Sequence, residues 1–177
     1  MNSGAAGVSS VQVLSRFNRD TVQIKTFRED VVLPKKGTTN AAGYDLCAWV
    51  KDSYDGMLLV QPGAVAIVKT GLNVNIPDGY EIQIRPRSGL AAKHMVSVLN
   101  TPGTIDSDYC GDGEDFELKV ILINHNKMPF SIQHGDRIAQ MVICKLSDVD
   151  LKVVDEFENS NNVDREGGLG STGVENN

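Results

Sequence analysis

Cysteine is scarce in this sequence and shows no sign of pairing. Cys47, Cys110 and Cys144 lie far apart, are odd in number and form no C-x-x-C. That argues against a disulfide framework and against a thiolate zinc site. Three unpaired thiols fit a reducing cytosol, so a cytoplasmic location is expected. Cys47 and Cys144 sit in strand-like stretches and read as small core residues, whereas Cys110 lies in a Gly/Asp-rich turn and is the thiol expected at the surface. Basic charge is also in deficit. The formal net charge is −6 and the pI is about 5.0, which argues against a general nucleic-acid-binding face but leaves room for a small basic pocket. No apolar run approaches the ~20 residues of a membrane helix, so no membrane partner is expected. His94, His125 and His134 show no H-E-x-x-H or comparable ligand spacing, and no acidic run has the spacing of a calcium loop. Residues 1–20 lack an apolar h-region. They carry Arg16 and Arg19 with no acid before Asp20 and are expected to form a disordered arm.

What is present points to one domain made of strands. A chain of 177 residues, 41% hydrophobic and 23% charged, is long enough to bury about two-thirds of its unfolded surface without staples. Seventeen glycines and six prolines imply many turns and short strands. Apolar and polar residues alternate over Val22–Lys25 and Glu81–Arg85, with Ile82 and Ile84 on one face. Gly43–Val50, Leu58–Val60, Val65–Leu72, Asn73–Ile76 and Ile138–Leu146 also read as strands. Lys119–Asn124 is nearly continuous in apolar residues, as in a strand buried on both faces. Pro77-Asp78-Gly79 is a turn with a mechanism, because Pro presets one turn angle and Gly accepts a positive φ. Only Ser88–His94 offers a helical turn. The expected fold is all-β, a sandwich or barrel of jelly-roll type, over residues 21–154. From about Asp155 the chain turns polar and then Gly-rich, which predicts a flexible tail over residues 155–177.

Three constellations stand out before any relative is considered. Pro86-Arg87-Ser88-Gly89 ends a strand and opens a helical turn, where main-chain N–H groups and a guanidinium suit an anion; a plain turn with Ser88 as N-cap is the alternative. Gly103-Thr104-Ile105-Asp106-Ser107-Asp108-Tyr109-Cys110-Gly111 is rich in acids that could cap turns, bind a cation or act as a general base. The tail Arg165-Glu166-Gly167-Gly168-Leu169-Gly170-Ser171-Thr172-Gly173 could fold over phosphates through glycine N–H groups and the fork of Arg165.

Five segments in order carry a resemblance: Ala42-Gly43-Tyr44-Asp45-Leu46, Pro86–Ala91, Gly103–Gly111, Gly135-Asp136-Arg137-Ile138-Ala139-Gln140-Met141, and the Gly-rich tail. Together they span residues 22–173 and resemble the trimeric dUTP diphosphatases (dUTPases). The resemblance implies a jelly-roll-like β-clip subunit, a homotrimer with sites shared between subunits, and hydrolysis of dUTP to dUMP and pyrophosphate with Mg²⁺. Such an activity keeps uracil out of DNA and supplies dUMP for dTMP synthesis.

The roles that follow are implied by that resemblance. Asp106 would be the general base for a water that attacks the α-phosphorus. Tyr109 would pack under the deoxyribose and exclude a 2′-hydroxyl. Asn100 would pair with the uracil edge, read also by the backbone of Lys119, with Thr104 and Ile105 beside the nucleotide. Arg87, Ser88, Gly89 and Gln140 would face the phosphate chain. Asp45 would orient water around a Mg²⁺ held mainly by phosphate oxygens. In the tail, Arg165 would reach the γ-phosphate, and Leu169 and Gly170 would cover the base. Two features depart from the pattern. Asp112-Gly113-Glu114-Asp115-Phe116 lengthens the hairpin after the third motif by five residues. The tail motif is one residue short and carries Leu169 in place of a phenylalanine. A deoxycytidine triphosphate deaminase of the same superfamily and a nucleotide-sensing protein of weak activity are the competing readings.

Overall fold

The structure, a computed structural model, describes residues 21–157. The chain divides into two compact units, residues 1–147 and 148–177. In the second, the described residues 148–157 form no helix or strand.

The first unit is all-β, as expected. Its strands are β1 (Gln23–Thr26), β2 (Lys35–Lys36), β3 (Tyr44–Cys47), β4 (Met57–Val60), β5 (Val65–Lys69), β6 (Leu72–Asn75), β7 (Tyr80–Arg85), β8 (Val96–Val98), β9 (Gly103–Ile105), β10 (Lys119–Asn124), β11 (Phe130–Gln133) and β12 (Arg137–Lys145). One helix, α1 (Ser88–His94), follows β7. Among the described residues the pairs form a five-stranded sheet in the order β2-β3-β12-β7-β9, a three-stranded sheet β5-β10-β8, and two-stranded sheets β1-β6 and β11-β4. Every pairing is antiparallel.

The core is built by the period-2 pattern of the strands. In β7, Ile82 and Ile84 are buried while Glu81, Gln83 and Arg85 are half-buried. They meet Ile143 and Met141 of β12 in register. Leu46, Leu72, Leu118, Leu122, Ile132 and Ile138 are fully buried with them. The turn from β6 to β7 closes with the Tyr80 N–H on the Pro77 carbonyl at 3.2 Å.

Three expectations need correction. The stretch Val65–Leu72 is not one strand. It breaks after Lys69, and β5 and β6 join different sheets, because the Gly71 N–H is drawn out of the ladder to the Glu117 carboxylate at 2.7 Å. Gly43–Val50 shortens to β3, beyond which the Ala48 and Trp49 N–H groups bond the carbonyls of Asp136, in a loop, and Lys69, at the end of β5. Lys119–Asn124 is buried on one face only: Val120, Leu122 and Asn124 are inside, while Lys119, Ile121 and Ile123 are half-buried. Ile121 and Ile123 lie opposite Ile67 and Val65 of β5, which are 63% and 50% exposed. The outer face of this small sheet therefore carries an apolar stripe.

Of the cysteines, Cys47 is buried, Cys144 half-buried and Cys110 exposed, and none is bonded to another. Burial, and then the nearby Asp45 carboxylate, push the Cys47 thiol up, so it stays protonated.

Candidate active site

The acid-rich third motif leaves β9 and turns twice, with the Tyr109 N–H on the Asp106 carbonyl at 3.1 Å and the Cys110 N–H on the Asp108 carbonyl at 2.8 Å. These turns place Asp106 and Tyr109 on the wall of a cavity of about 330 Å³. Asn100, Thr104, Ile105 and Lys119 line the same cavity, so six of the sequence-predicted residues converge there. Its apolar wall comes from Ile67, Ile84 and Ile121. An apolar cavity with a few convergent polar groups is the ordinary form of a small-molecule site.

Each polar group has a local cause. Asn100 sits over Gly103, where an added Cβ would lie 3.0 Å from the amide nitrogen. Lys119 donates its ammonium to the Glu114 carbonyl at 2.9 Å. Tyr109 donates its hydroxyl to the carbonyls of Asp115 and Glu117, each at 3.3 Å. Asp106 is exposed and has no ion-pair partner among the described residues.

The remaining predicted residues lie elsewhere on the sheet. Gln83 and Arg85 alternate with Ile84 along β7, and they line a second cavity of about 520 Å³ with Ser88 and Gln140. Gln140 donates to the Pro86 carbonyl at 2.9 Å. It packs so closely on Gly43 that a Cβ there would lie 2.5 Å from its side-chain oxygen, which is why the first motif needs glycine at that point. Arg87 lines a third cavity, of about 320 Å³, with Arg137, His94 and Asp136. Arg87 occupies the N-cap position of α1 without capping it, so Ser88 is not the cap but the first helical residue. Gly89 is exposed in that first turn.

Asp45 joins the two arginines. Its oxygens accept from Arg87 Nε at 2.8 Å and from Arg137 Nη1 at 3.1 Å, and Arg87 also donates to the Arg137 carbonyl at 2.9 Å. Arg137 lies within the fourth motif, but the motif alone implies no role for it. A β-bulge between Arg137 and Ala139 aims it at Asp45, and a bulge is invisible to a period-2 reading. Among the described residues no three His, Cys, Asp or Glu side chains converge on one point. Arg165, Leu169 and Gly170 lie outside the described residues.

A nucleotide-processing enzyme is the class these features define. The first cavity joins an apolar wall to an amide, a phenol and an exposed acid, and two guanidinium groups share one carboxylate nearby on the chain. Comparison with known proteins narrows it: the dUTPase family model matches residues 29–173. The chain belongs to the dUTPase family, and it is an enzyme that hydrolyses dUTP. Among solved structures, a mutant dUTPase of Staphylococcus bacteriophage 80alpha with dUpNHpp is 26% identical, with a TM-score of 0.72 over 87% of this chain and 99% of its own. A mutant dUTPase of S. aureus phage phi11, described as coordinating a structural Mg(II) ion, is 26% identical, with a TM-score of 0.67 over 79% of this chain and 100% of its own. The dUTPase of Streptococcus mutans shares the fold at 24% identity, with a TM-score of 0.63 over 73% of this chain and 98% of its own.

Proposed function

We propose that dUTP is hydrolysed in a site completed between copies of this chain, in a homotrimer. The observation that carries this reading is the split along β7. Ile84 faces the cavity of Asp106, Asn100 and Tyr109, while Gln83 and Arg85 face the cavity of Ser88 and Gln140. Neighbouring residues of a strand point to opposite faces of the sheet. A nucleotide seated at Tyr109 therefore meets the phosphate-binding residues of a neighbouring copy. The apolar stripe of Val65, Ile67, Ile121 and Ile123 adjoins the first cavity and supplies surface for that neighbour.

In this reading the Asn100 amide and the Lys119 backbone hold the uracil edge. A base with the wrong edge leaves buried polar groups unpaired, which can cost ~10⁴-fold in discrimination. The Tyr109 ring floors the deoxyribose, beside Thr104 and Ile105. Asp106 takes a proton from a water whose oxygen bonds to the α-phosphorus. The bond from that phosphorus to the bridging oxygen breaks, and pyrophosphate leaves with the electron pair. Arg87, Ser88, Gly89 and Gln140 hold the phosphate chain.

The residues fit a Mg²⁺ that arrives on the nucleotide rather than one held by the protein alone. Both oxygens of Asp45 already face guanidinium groups, so Asp45 would reach the ion through water. A Mg²⁺ brought in with the nucleotide would supply positive charge to offset the negative charge on the phosphates, with Asp45 placed to reach it through water. A cytoplasmic site of action goes with the free thiols; among the described residues no helix is long and apolar enough to cross a membrane.

Pyrophosphate release from dUTP, dCTP and UTP, with the mass measured on the same sample, tests the reading. It expects dUTP alone to be turned over well, by a particle of about 58 kDa, three times the 19.2 kDa chain. A monomer with full activity would overturn the shared site.

A further inference from the structure

The five extra residues after the third motif do not form a loose hairpin tip. Lys25 Nζ holds the Asp112 carboxylate at 2.7 Å. Asn73 pairs with Gly113 in both directions, at 2.9 and 3.2 Å. The Glu114 carboxylate meets Arg28 at 3.1 Å and Lys69 at 3.0 Å. Just beyond, Glu117 is fully buried and accepts from Arg28 at 3.2 Å and from the Gly71 N–H at 2.7 Å. The loop is thus tied to β1, β5, β6 and the segment after β1.

What this anchored loop presents is the ring of Phe116. It lies 5.9 Å from the Tyr109 ring, centroid to centroid, at an interplanar angle of 60°, a tilted edge-to-face arrangement of the favourable kind. A Cβ at Gly111 would lie 2.3 Å from the Phe116 ring, so the ring rests on bare backbone beside Tyr109. Phe116 is not among the residues lining the cavity; it stands behind the tyrosine. With its ring backed by Phe116 and its hydroxyl held by the Asp115 and Glu117 carbonyls, Tyr109 is fixed at both ends by the same loop.

We propose that Phe116 is a positioning residue for sugar selection, holding the Tyr109 ring against the cavity so that a 2′-hydroxyl is refused. The inference rests on the reading of Tyr109 as the sugar floor. Refusing one hydroxyl is a steric test. A floor displaced by about an ångström no longer applies it.

The experiment compares kcat and KM for dUTP and UTP in the full-length protein. Phe116→Ala raises the UTP-to-dUTP ratio of kcat/KM about tenfold, mainly through KM. Phe116→Tyr, which restores a ring, returns the ratio to the wild-type value. A purely structural Phe116 would instead lower kcat on both nucleotides together and leave the ratio alone, and that result overturns the proposal. Tyr109→Ala separates the two levels. If it moves the ratio and Phe116→Ala does not, the positioning role is wrong and the sugar floor stands. If neither moves it, both are wrong. Should Phe116→Ala fail to fold, Phe116→Leu serves in its place: an intermediate ratio supports the proposal and an unchanged one overturns it.

Discussion

The two halves of the site are made by different physics. The half around Asn100, Asp106 and Tyr109 is shaped by packing: isoleucines from three strands form its wall and two tight turns set its acid. The half around Asp45, Arg87 and Arg137 is shaped by charge, with one carboxylate shared by two guanidinium groups. A packed cavity is ready before a ligand arrives. In the proposed reading, a guanidinium already paired would exchange its partner for phosphate. The first half should therefore be brittle in stability and decide which nucleotide is accepted, and the second should decide how tightly it is held.

The largest expected effect is chemical. Asp106→Asn keeps the shape of the packed half and removes its base, so turnover should fall by ~10²–10⁴-fold with binding retained. Single-turnover kinetics beside equilibrium binding of dUTP check this; near-normal turnover would remove Asp106 from the role.

Next comes the frame of the packed half. Glu117→Ala takes the acceptor from the buried Gly71 N–H and leaves Arg28 with Glu114 alone; the Arg28 side chain is 16% exposed and its guanidinium stacks over the Trp49 ring at 4.4 Å. Burial disfavours the charge on Arg28, but Glu117 and Glu114 outweigh burial and raise its pKa. A buried donor left without its acceptor costs ~1–3 kcal/mol, read as a loss in denaturant midpoint. The charged half should behave oppositely. Arg87→Ala should raise KM ~10–100-fold, the equivalent of ~1.5–3 kcal/mol for a charge-assisted bond, and shift stability by about 1 kcal/mol or less. If Arg87→Ala unfolded the protein while Glu117→Ala did not, the contrast between the halves would collapse.

The smallest effect concerns the ions that pin the loop behind Tyr109. Hydrogen bonds and then the charge of Lys69 hold the Glu114 carboxyl below its ordinary value of 4.5, and the Lys69 hydrogen bond does the same for Asp52 against 3.8. A carboxylate lowered in the folded state stabilises it above the ordinary range, and loses that contribution as pH falls through the lowered value. Wild type should therefore exceed Lys69→Met in melting temperature at neutral pH. The gap should narrow as pH falls below about 4.5 and shrink in high salt, since these groups are exposed. A gap independent of both would mean Lys69 acts through packing.

Much of this was legible in the sequence, for reasons that can be named. The alternation in Glu81–Arg85, the apolar run Lys119–Asn124 and the helical turn Ser88–His94 all matched the elements found there, although only the first also announced its buried face, since β10 buries one face rather than two. Lys35–Lys36, Val96–Val98, Gly103–Ile105 and Phe130–Gln133 carried no such pattern. They are strands because a partner offers a ladder, as Tyr44 and Asp45 do for the two lysines, and pairing over long separations leaves no local trace. Within the site, the motifs named the residues but not their distribution. That Gln140 and Asn100 belong to different cavities follows from the order β12-β7-β9. The bond of Arg137 to Asp45 sits at a register shift in β12. The Tyr109–Phe116 contact comes from five residues that fit no motif.

The central claim is that the packed half of one copy works with the charged half of another, and mixing inactive variants tests it most directly. Asp106→Asn and Arg87→Ala proteins are unfolded together in equal amounts, refolded and assayed at dUTP well below the KM of Arg87→Ala, where each is impaired alone. If every site takes Asp106 from one copy and Arg87 from its neighbour, random assembly leaves about a quarter of the sites with both native residues, and activity should return to roughly a quarter of the wild-type rate. A mixture no more active than the average of its two components would contradict the account, because it would mean that Asp106 and Arg87 must come from the same chain.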